Sequence, residues 1–215
     1  MSAAPARSAD RHGRLRRRVG GALVAGGLLL VTFASTRYAE GAVRADRVRE
    51  QWEIERAHAA VARIRQGNVD RYGALGFEPG APVARLRIPR LGLDEIVVEG
   101  VGVEELNVGP GHLPGSVLPG ESGNAVISAH RDRHFLELGR LAIGDTVATE
   151  VGPHETRWIV VSRRVVGAGA PALFQAEEPT LTLTTCWPIR FFGPAPDRLI
   201  VTARPLDAPR PAKRS

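Results

Sequence analysis

Residues 180–188 read TLTLTTCWP, a run in which leucine and threonine alternate before a single cysteine. Because successive side chains of a strand point to opposite faces, the two leucines share one face, and Thr182, Thr184 and Cys186 share the other. The leucine face is the natural core side. The proline lacks an N–H donor and ends the hydrogen-bonded ladder directly after the strand. A thiol at the end of a strand, at the mouth of a barrel, is placed as a nucleophile rather than as core filling.

Cys186 is the only cysteine in the chain of 215 residues, so an internal disulfide is excluded. A free cysteine most often serves as a small buried apolar residue. As a nucleophile it acts in the thiolate form, which a neighbouring base or cation favours. The search for such partners leads to two further segments.

The first segment, residues 123–134, reads GNAVISAHRDRH and places Val126, Ser128 and His130 on one strand face. His130 stands at the carboxyl end of that strand. An imidazole near a thiol can take its proton and return it to a leaving amine. His134 follows four residues later, a spacing that also suits zinc on a helix, but no glutamate stands in the zinc-protease position.

The second segment, residues 195–203, reads APDRLIVTA, and Arg198 opens its strand after the loop that follows Cys186. If the two strands are neighbours, Arg198 lies near the thiol. A guanidinium there can stabilise a developing oxyanion or orient the carbonyl groups of a substrate.

From residue 82 onward, short β-rich runs alternate with glycine and proline, a pattern typical of an all-β barrel or sandwich. A turn-rich connection covers 109–123, and short helical turns are expected at 104–107 and 135–141. The predicted strands are 83–88, 95–98, 124–129, 146–150, 156–165, 181–186 and 198–203.

The N-terminal third predicts a membrane anchor and a helix. Residues 19–36 carry no charge and as a helix would cover about 27 Å, enough for a bilayer core. Arginines directly before this segment place the N-terminus in the cytoplasm and the remainder outside. A cleaved signal peptide is the alternative, because small residues surround positions 34 and 39. Residues 38–66 have an amphipathic pattern that predicts a stalk helix, or a helix packed on the domain surface, ending before Gly67.

The sequence pI is 10.7 and the net charge is +6, which raises nucleic acid as a partner. The basic residues lie in the tails, however: residues 1–18 contribute +5 and residues 204–215 contribute +3, which leaves −2 for the rest. A near-neutral folded part argues against nucleic-acid binding. The expected organisation is a cytoplasmic basic tail (1–18), a transmembrane anchor (19–36), a stalk helix and linker (37–81), a catalytic domain (82–204) and a disordered basic tail (205–215).

Three segments together resemble the sortase family. GHLPGSVLPGESGNAVISAHRD (111–132) resembles the family's G-H-x-P-G…G-N…G-H-R-D block, LTLTTCWP (181–188) its cysteine strand, and GPAPDRLIVTA (193–203) its arginine strand. The likeness runs from about residue 82 to 203, and the CWP and GPAP pieces look most like class D. Ala129 stands where glycine is frequent, and Trp187 where tyrosine is frequent.

The resemblance implies a closed eight-stranded barrel and a cysteine transpeptidase. Its partners would be exported proteins with a C-terminal LPXTG-type sorting signal, cleaved between Thr and Gly. Cys186 would form a thioacyl-enzyme, which an amine acceptor, a cell-wall precursor or another protein, would resolve. His130 would act as acid and base, and Arg198 would stabilise the tetrahedral intermediate.

Further residues complete the predicted site. Thr184, Thr185 and Trp187 are expected to bind the substrate, while His112, a recurrent family position, is interpreted as structural. Glu177 and Glu178 precede the cysteine strand, where carboxylates bind calcium in some sortases, but two adjacent acids are ordinary in a loop. We expect no metal and no other cofactor.

Other protein classes fit less well. A papain-like protease needs its cysteine on a helix and before the histidine, and an L,D-transpeptidase shows S-x-G-C where this chain has TTC. The non-enzymatic alternative is a membrane-tethered β-barrel that binds a partner and buries Cys186.

Overall fold

The computed structural model describes residues 7–66, 77–172 and 175–206, and for 7–18, 38 and 55–66 it describes the backbone alone. The chain divides into two compact units, Met1–Val43 and Arg44–Ser215. Most of the predicted disordered tail, from residue 207 on, and the central part of the predicted linker, 67–76, lie outside the described residues.

The N-terminal third forms one unbroken helix, α1 (Arg7–Gln66). Its Val19–Ile54 part is long and apolar enough to cross a membrane by length and composition, a test that a signal sequence also passes. Leucines and valines between residues 19 and 31 expose their side chains, as expected for a surface that meets lipid. The segments predicted as an anchor and as an amphipathic helix both fall within the bounds of α1.

The remaining chain is built from eight short strands among the described residues. They are β1 (Pro82–Ile88), β2 (Leu93–Glu99), β3 (Gly111–His112), β4 (Asn124–Ser128), β5 (Thr146–Val151), β6 (His154–Gly167), β7 (Thr180–Trp187) and β8 (Asp197–Pro205). A short helix α2 (Val103–Leu106) and 3₁₀ turns at Pro89–Leu91 and Leu138–Arg140 complete the fold.

The strands close into a barrel in the order β1-β2-β3-β4-β7-β8-β6-β5. Two pairs, β2 with β3 and β4 with β7, are parallel, and the others are antiparallel. The closed eight-stranded barrel expected from the sequence is confirmed. Seven of the strands match predicted runs, whereas β3 lies inside the segment that was predicted only as a turn-rich connection.

Close packing of backbones explains why β3 begins with glycine. A Cβ added to Gly111 would stand 2.1 Å from the carbonyl oxygen of Gly100 and 2.8 Å from a methyl group of Leu106. No side chain fits at such distances, so only glycine lets β3 pass beside the end of β2.

The barrel interior is filled by apolar side chains from every strand except the two-residue β3, together with residues of the 131–141 turn region. Leu181 and Leu183 of β7 belong to this core, as predicted from their alternation. Trp158 is fully buried and donates its indole N–H to the Thr149 hydroxyl at 2.8 Å. The core therefore fixes which face of β4, β7 and β8 points outward.

The part of α1 that belongs to the second unit contacts the outside of the barrel. Arg44 bonds Glu104 at 3.0 Å, and Arg49 donates to the backbone oxygen of Asp94 at 3.0 Å. Trp52 is buried against this surface with 5% of its area exposed. This half of the helix is packed on the domain surface, one of the two arrangements that the amphipathic pattern allowed.

The core can be tested with two substitutions of the same residue type. Phe135 is fully buried and Phe192 is fully exposed. We expect Phe135→Ala to lower the free energy of unfolding by about 3–5 kcal/mol, because it leaves a cavity. Phe192→Ala should change it by less than about 0.5 kcal/mol. Urea unfolding of the detergent-solubilised chain, followed by tryptophan fluorescence, measures both, and equal losses would contradict the described core.

Candidate functional site

Cys186 is the penultimate residue of β7 and is exposed. The alternation along the strand places its side chain on the outer face of the barrel with Thr182 and Thr184, opposite the buried leucines. The predicted thiol is thus accessible from solvent, on the outer wall rather than inside the barrel mouth.

Arg198 lies directly across from Cys186 in the antiparallel pair of β7 and β8. Directly opposed residues of such a pair have Cβ atoms about 4.5–5.5 Å apart on the same face. The Arg198 Nε donates to the backbone oxygen of Ala168 at 3.1 Å. Within the described residues its two terminal nitrogens have no hydrogen-bond partner, so they remain available to a ligand.

His130 lies level with Cys186 on the other side of β7. In the parallel pair of β4 and β7, Ser128 pairs with Thr184. The alignment continues past the end of β4, because the amide of Ala129 donates to the Thr184 oxygen at 3.2 Å. His130 is two residues beyond Ser128, and Cys186 is two residues beyond Thr184. Because Ser128 and Thr184 are paired, His130 and Cys186 are aligned with each other.

A side-chain bond secures this alignment. The hydroxyl of Thr185 donates to the backbone oxygen of Ala129 at 2.7 Å and is buried. It therefore joins the residue before Cys186 to the residue before His130. The register thus sets Cys186 opposite Arg198 and aligns His130, two residues past the end of β4, with Cys186.

The surroundings of His130 favour its neutral form. Burial of the half-buried ring is the largest influence and lowers its pKa below the ordinary value of 6.5. The positive charges of His134 and Arg133 lower the pKa further, and the carboxylate of Asp132 raises it in part. At neutral pH most of the imidazole is therefore uncharged, with a lone pair on one ring nitrogen.

The three residues predicted to bind substrate lie in different places. Thr184 is fully buried beside the site, and its hydroxyl has no hydrogen-bond partner among the described residues. Thr185 is engaged with Ala129, as described above. Trp187 packs against the core. Its ring lies so close to Gly139 that a Cβ added there would be 3.2 Å from it. The centre of the ring is 6.0 Å from the guanidinium carbon of Arg163.

The fold also bears on the zinc site that the spacing of His130 and His134 could suggest. His134 is almost fully buried, with its Nδ1 3.5 Å from a carboxylate oxygen of Glu95. Among the described residues, no group of three or more histidine, cysteine or acidic side chains is arranged to hold a metal ion.

A second cluster has the order of groups found in serine hydrolases. The Nδ1 of His112 is 2.6 Å from a carboxylate oxygen of Glu99, and its Nε2 is 2.9 Å from the Ser116 hydroxyl. A nucleophile, a base and an orienting carboxylate in this sequence define a catalytic triad.

The hydrogen bonds argue against catalysis by this cluster. The Nε2 of His112 also faces the carbonyl oxygen of Val117 at 3.0 Å, and a carbonyl only accepts. A ring nitrogen that donates to this carbonyl offers no lone pair to the serine proton. The Ser116 hydroxyl donates to Leu113 O at 2.8 Å and accepts from the amide of Val126 at 3.2 Å. The cluster joins β2, β3 and β4, which agrees with the structural interpretation of His112.

A cleft of about 770 Å³ opens at the amino ends of β4 and β7. Asn124 lines it, and the amide oxygen of this residue accepts a 2.7 Å hydrogen bond from Thr182, which shares the Cys186 face. Thr182 and Thr184, which lie between the cleft and Cys186 on β7, are fully buried, so the cleft does not open onto the thiol. Its lining is completed by residues 115–117, 123 and 175–177.

No role was predicted for Arg131 from the sequence. Its side chain crosses to the loop between β7 and β8. The one available signal is its position directly after His130, in the H-R-D triplet.

Comparison with known proteins gives a consistent result. A family model described as a sortase domain matches residues 86–206. The chain is 33% identical over 126 residues to Sortase D of Bacillus subtilis (strain 168), a match that covers 58% of this chain and 64% of that relative. The chain thus matches slightly less than two thirds of that relative's length.

Two solved structures have the same fold. The Sortase D5 transpeptidase of Clostridium perfringens superposes with a TM-score of 0.56 at 25% identity, covering 61% of this chain and 82% of that one. The lid mutant of Streptococcus agalactiae Sortase C1 gives a TM-score of 0.55 at 26% identity, covering 79% and 92%.

The electrostatics of His130 can be measured by NMR titration of its ring. We expect a midpoint below 6.5, because burial disfavours the charged form. Asp132→Asn removes the carboxylate that favours the protonated ring, so the midpoint should fall further. Asp46→Asn on α1 is the matched control and should leave the midpoint unchanged. A wild-type midpoint above 6.5 would contradict the described surroundings.

Proposed function

This chain belongs to the sortase family and is similar to its class D, and from that premise we propose that Cys186, His130 and Arg198 form the catalytic site of a cysteine transpeptidase. The observation that carries the proposal is the register: Cys186 pairs directly with Arg198, and His130 follows β4 at the same height. An exposed thiol between an imidazole and a guanidinium has both partners that nucleophilic acyl transfer needs.

The proposed substrate is an LPXTG-type sorting signal of an exported protein, cleaved between Thr and Gly. This assignment rests on the resemblance of the three sequence segments to the sortase family, whose domain matches residues 86–206. The strand face between the cleft and the thiol is closed by the fully buried Thr182 and Thr184, so the cleft itself gives no path to Cys186.

In the first half-reaction, neutral His130 takes the proton of the Cys186 thiol. The thiolate sulfur attacks the Thr carbonyl carbon, and the carbonyl oxygen becomes an oxyanion. When this intermediate collapses, the C–N bond to Gly breaks, and His130 returns the proton to the leaving amine. The products are a thioacyl-enzyme at Cys186 and a free amino terminus.

In the second half-reaction, the amine of an acceptor attacks the thioacyl carbon. His130 removes a proton from the attacking nitrogen, the new amide forms, and the sulfur leaves as thiolate. The proton held by His130 then restores the thiol. The acceptor is proposed to be a cell-wall precursor or another protein.

Arg198 is proposed to stabilise the oxyanion of both intermediates. The backbone of Ala168 fixes its Nε, so the guanidinium is held before any substrate arrives. A prepositioned cation needs no reorganisation when charge develops, which is the condition under which such groups accelerate reactions.

The proposed location is the cell membrane. The α1 segment 19–36 would span the bilayer once, with the arginines at 14 and 16–18 on the cytoplasmic side and the barrel outside. In this proposed topology the site would face exported proteins as they emerge from the membrane.

A non-catalytic binding barrel is the second candidate class, and it expects a buried cysteine. Cys186 is exposed, beside a histidine whose pKa is lowered by burial. Both observations favour the enzyme.

Cleavage of a fluorogenic LPXTG peptide by the full chain in detergent tests the proposal. We expect Thr–Gly cleavage by the wild type, none by Cys186→Ala, and a rate reduced about 10²–10⁴-fold in His130→Ala, since a general acid and base is lost. His154→Ala, an exposed histidine on β6, is the matched control and should retain full activity. Undiminished cleavage by Cys186→Ala would refute the mechanism.

A further inference from the structure

Arg131 follows His130 directly and reaches the loop formed by residues 188–196, which connects the strand of Cys186 to the strand of Arg198. Its Nη1 donates to the carbonyl oxygen of Pro188 at 3.0 Å, and its Nη2 to that of Gly193 at 2.6 Å. The guanidinium carbon also lies 5.7 Å from the centre of the Phe191 ring. One side chain thus holds the beginning, the middle and an aromatic side chain of this loop.

The loop has little else to fix its backbone. Its sequence, PIRFFGPAP, contains three prolines, which donate no backbone hydrogen bond. Across residues 188–195, all of which are described, no two backbone groups of the loop bond to each other. Ile189 packs at the core, and the backbone oxygen of Pro196 accepts from Ala168. Between these two ends, the polar contacts of the loop backbone with the described residues come from Arg131.

We propose that Arg131 is a positioning residue, whose guanidinium fixes the 188–196 loop so that Cys186 and Arg198, at its two ends, stay level with His130. This inference rests on the proposed function of the three residues. Two neighbouring residues then have different roles. The imidazole of His130 reacts, and the guanidinium of Arg131 holds the loop that connects Cys186 to Arg198.

The geometry requires arginine rather than any cation. Two carbonyl oxygens at different points of the loop are bound by two nitrogens of one planar group, and the face of that group meets an aromatic ring. A lysine ammonium is a single compact charge on a flexible stem and cannot reproduce the fork. Arg131→Lys should therefore restore only part of what Arg131→Gln loses.

The loss of a positive charge beside His130 is the rival explanation for any effect. Arg131 is not among the charges that shift the pKa of His130, which are those of Asp132, His134 and Arg133. If Arg131 acts by positioning, the NMR titration midpoint of His130 in Arg131→Gln should equal that of the wild type. A purely electrostatic role would move this midpoint.

The test compares the full chain in detergent with Arg131→Gln, Arg131→Lys and the control Arg190→Gln, which removes an exposed arginine from the same loop. Limited digestion with chymotrypsin reports loop mobility, because Phe192 is fully exposed in the loop and cleavage requires local opening. Peptide turnover gives kcat and KM, and the thermal midpoint shows whether each variant is folded.

For Arg131→Gln we expect cleavage after Phe192 to accelerate about tenfold, and kcat to fall about tenfold to a hundredfold with little change in KM, since displaced reacting groups slow the chemical step. Arg131→Lys should lie between, and Arg190→Gln should match the wild type. If the glutamine variant cannot fold, the lysine variant carries the comparison.

Unchanged loop digestion, or accelerated digestion with unchanged kcat, would each overturn the positioning role. A shifted His130 midpoint would replace it with an electrostatic one. A wild-type chain that does not cleave the peptide overturns the proposed function and the positioning role together, and it is recognised before any variant is made.

Discussion

The parallel register of β4 and β7 is the constraint on which the rest of the site depends. Strands that pair in parallel place residues with equal offsets at equal heights, and the offset from Ser128 to Thr184 also relates His130 to Cys186. Two bonds hold this register where β4 has already ended: Ala129 N to Thr184 O, and the Thr185 hydroxyl to Ala129 O. The antiparallel pairing of β7 with β8 then adds Arg198 from the other side.

Two side-chain hydrogen-bond networks, centred on His112 and Arg131, support the outside of the barrel around these three residues. His112 bonds Glu99 and Ser116 and thereby joins β2, β3 and β4 at the cleft wall. Arg131 spans from the end of β4 to the loop between β7 and β8. Both networks attach irregular backbone to regular strands, and irregular backbone is where a catalytic side chain is most easily displaced. The support is therefore concentrated where the strands stop.

Local patterns predicted much of this molecule. The alternation of leucine and threonine identified the buried and outward faces of β7, and glycine and proline marked most strand ends. The two-residue β3 was missed because two residues are too short for any periodicity. The neighbours of each strand, and hence the height of His130, could not be predicted from the sequence, since pairing between residues 56 apart leaves no local signal. The contacts of Trp187 and Arg131 could not be predicted for the same reason: their partners, Gly139, Pro188 and Gly193, are brought near only by the closed barrel.

The central claim is that Cys186 becomes acylated between its two partners, and intact-protein mass spectrometry of a rapidly quenched reaction tests it most directly. The full chain is mixed with an LPXTG peptide, stopped in acid and digested to locate any adduct. The account predicts a transient mass increase equal to the peptide fragment ending at the Thr carbonyl, located on Cys186. Peptide cleavage with no adduct on Cys186, or with the acyl group on another residue such as Ser116, would contradict it.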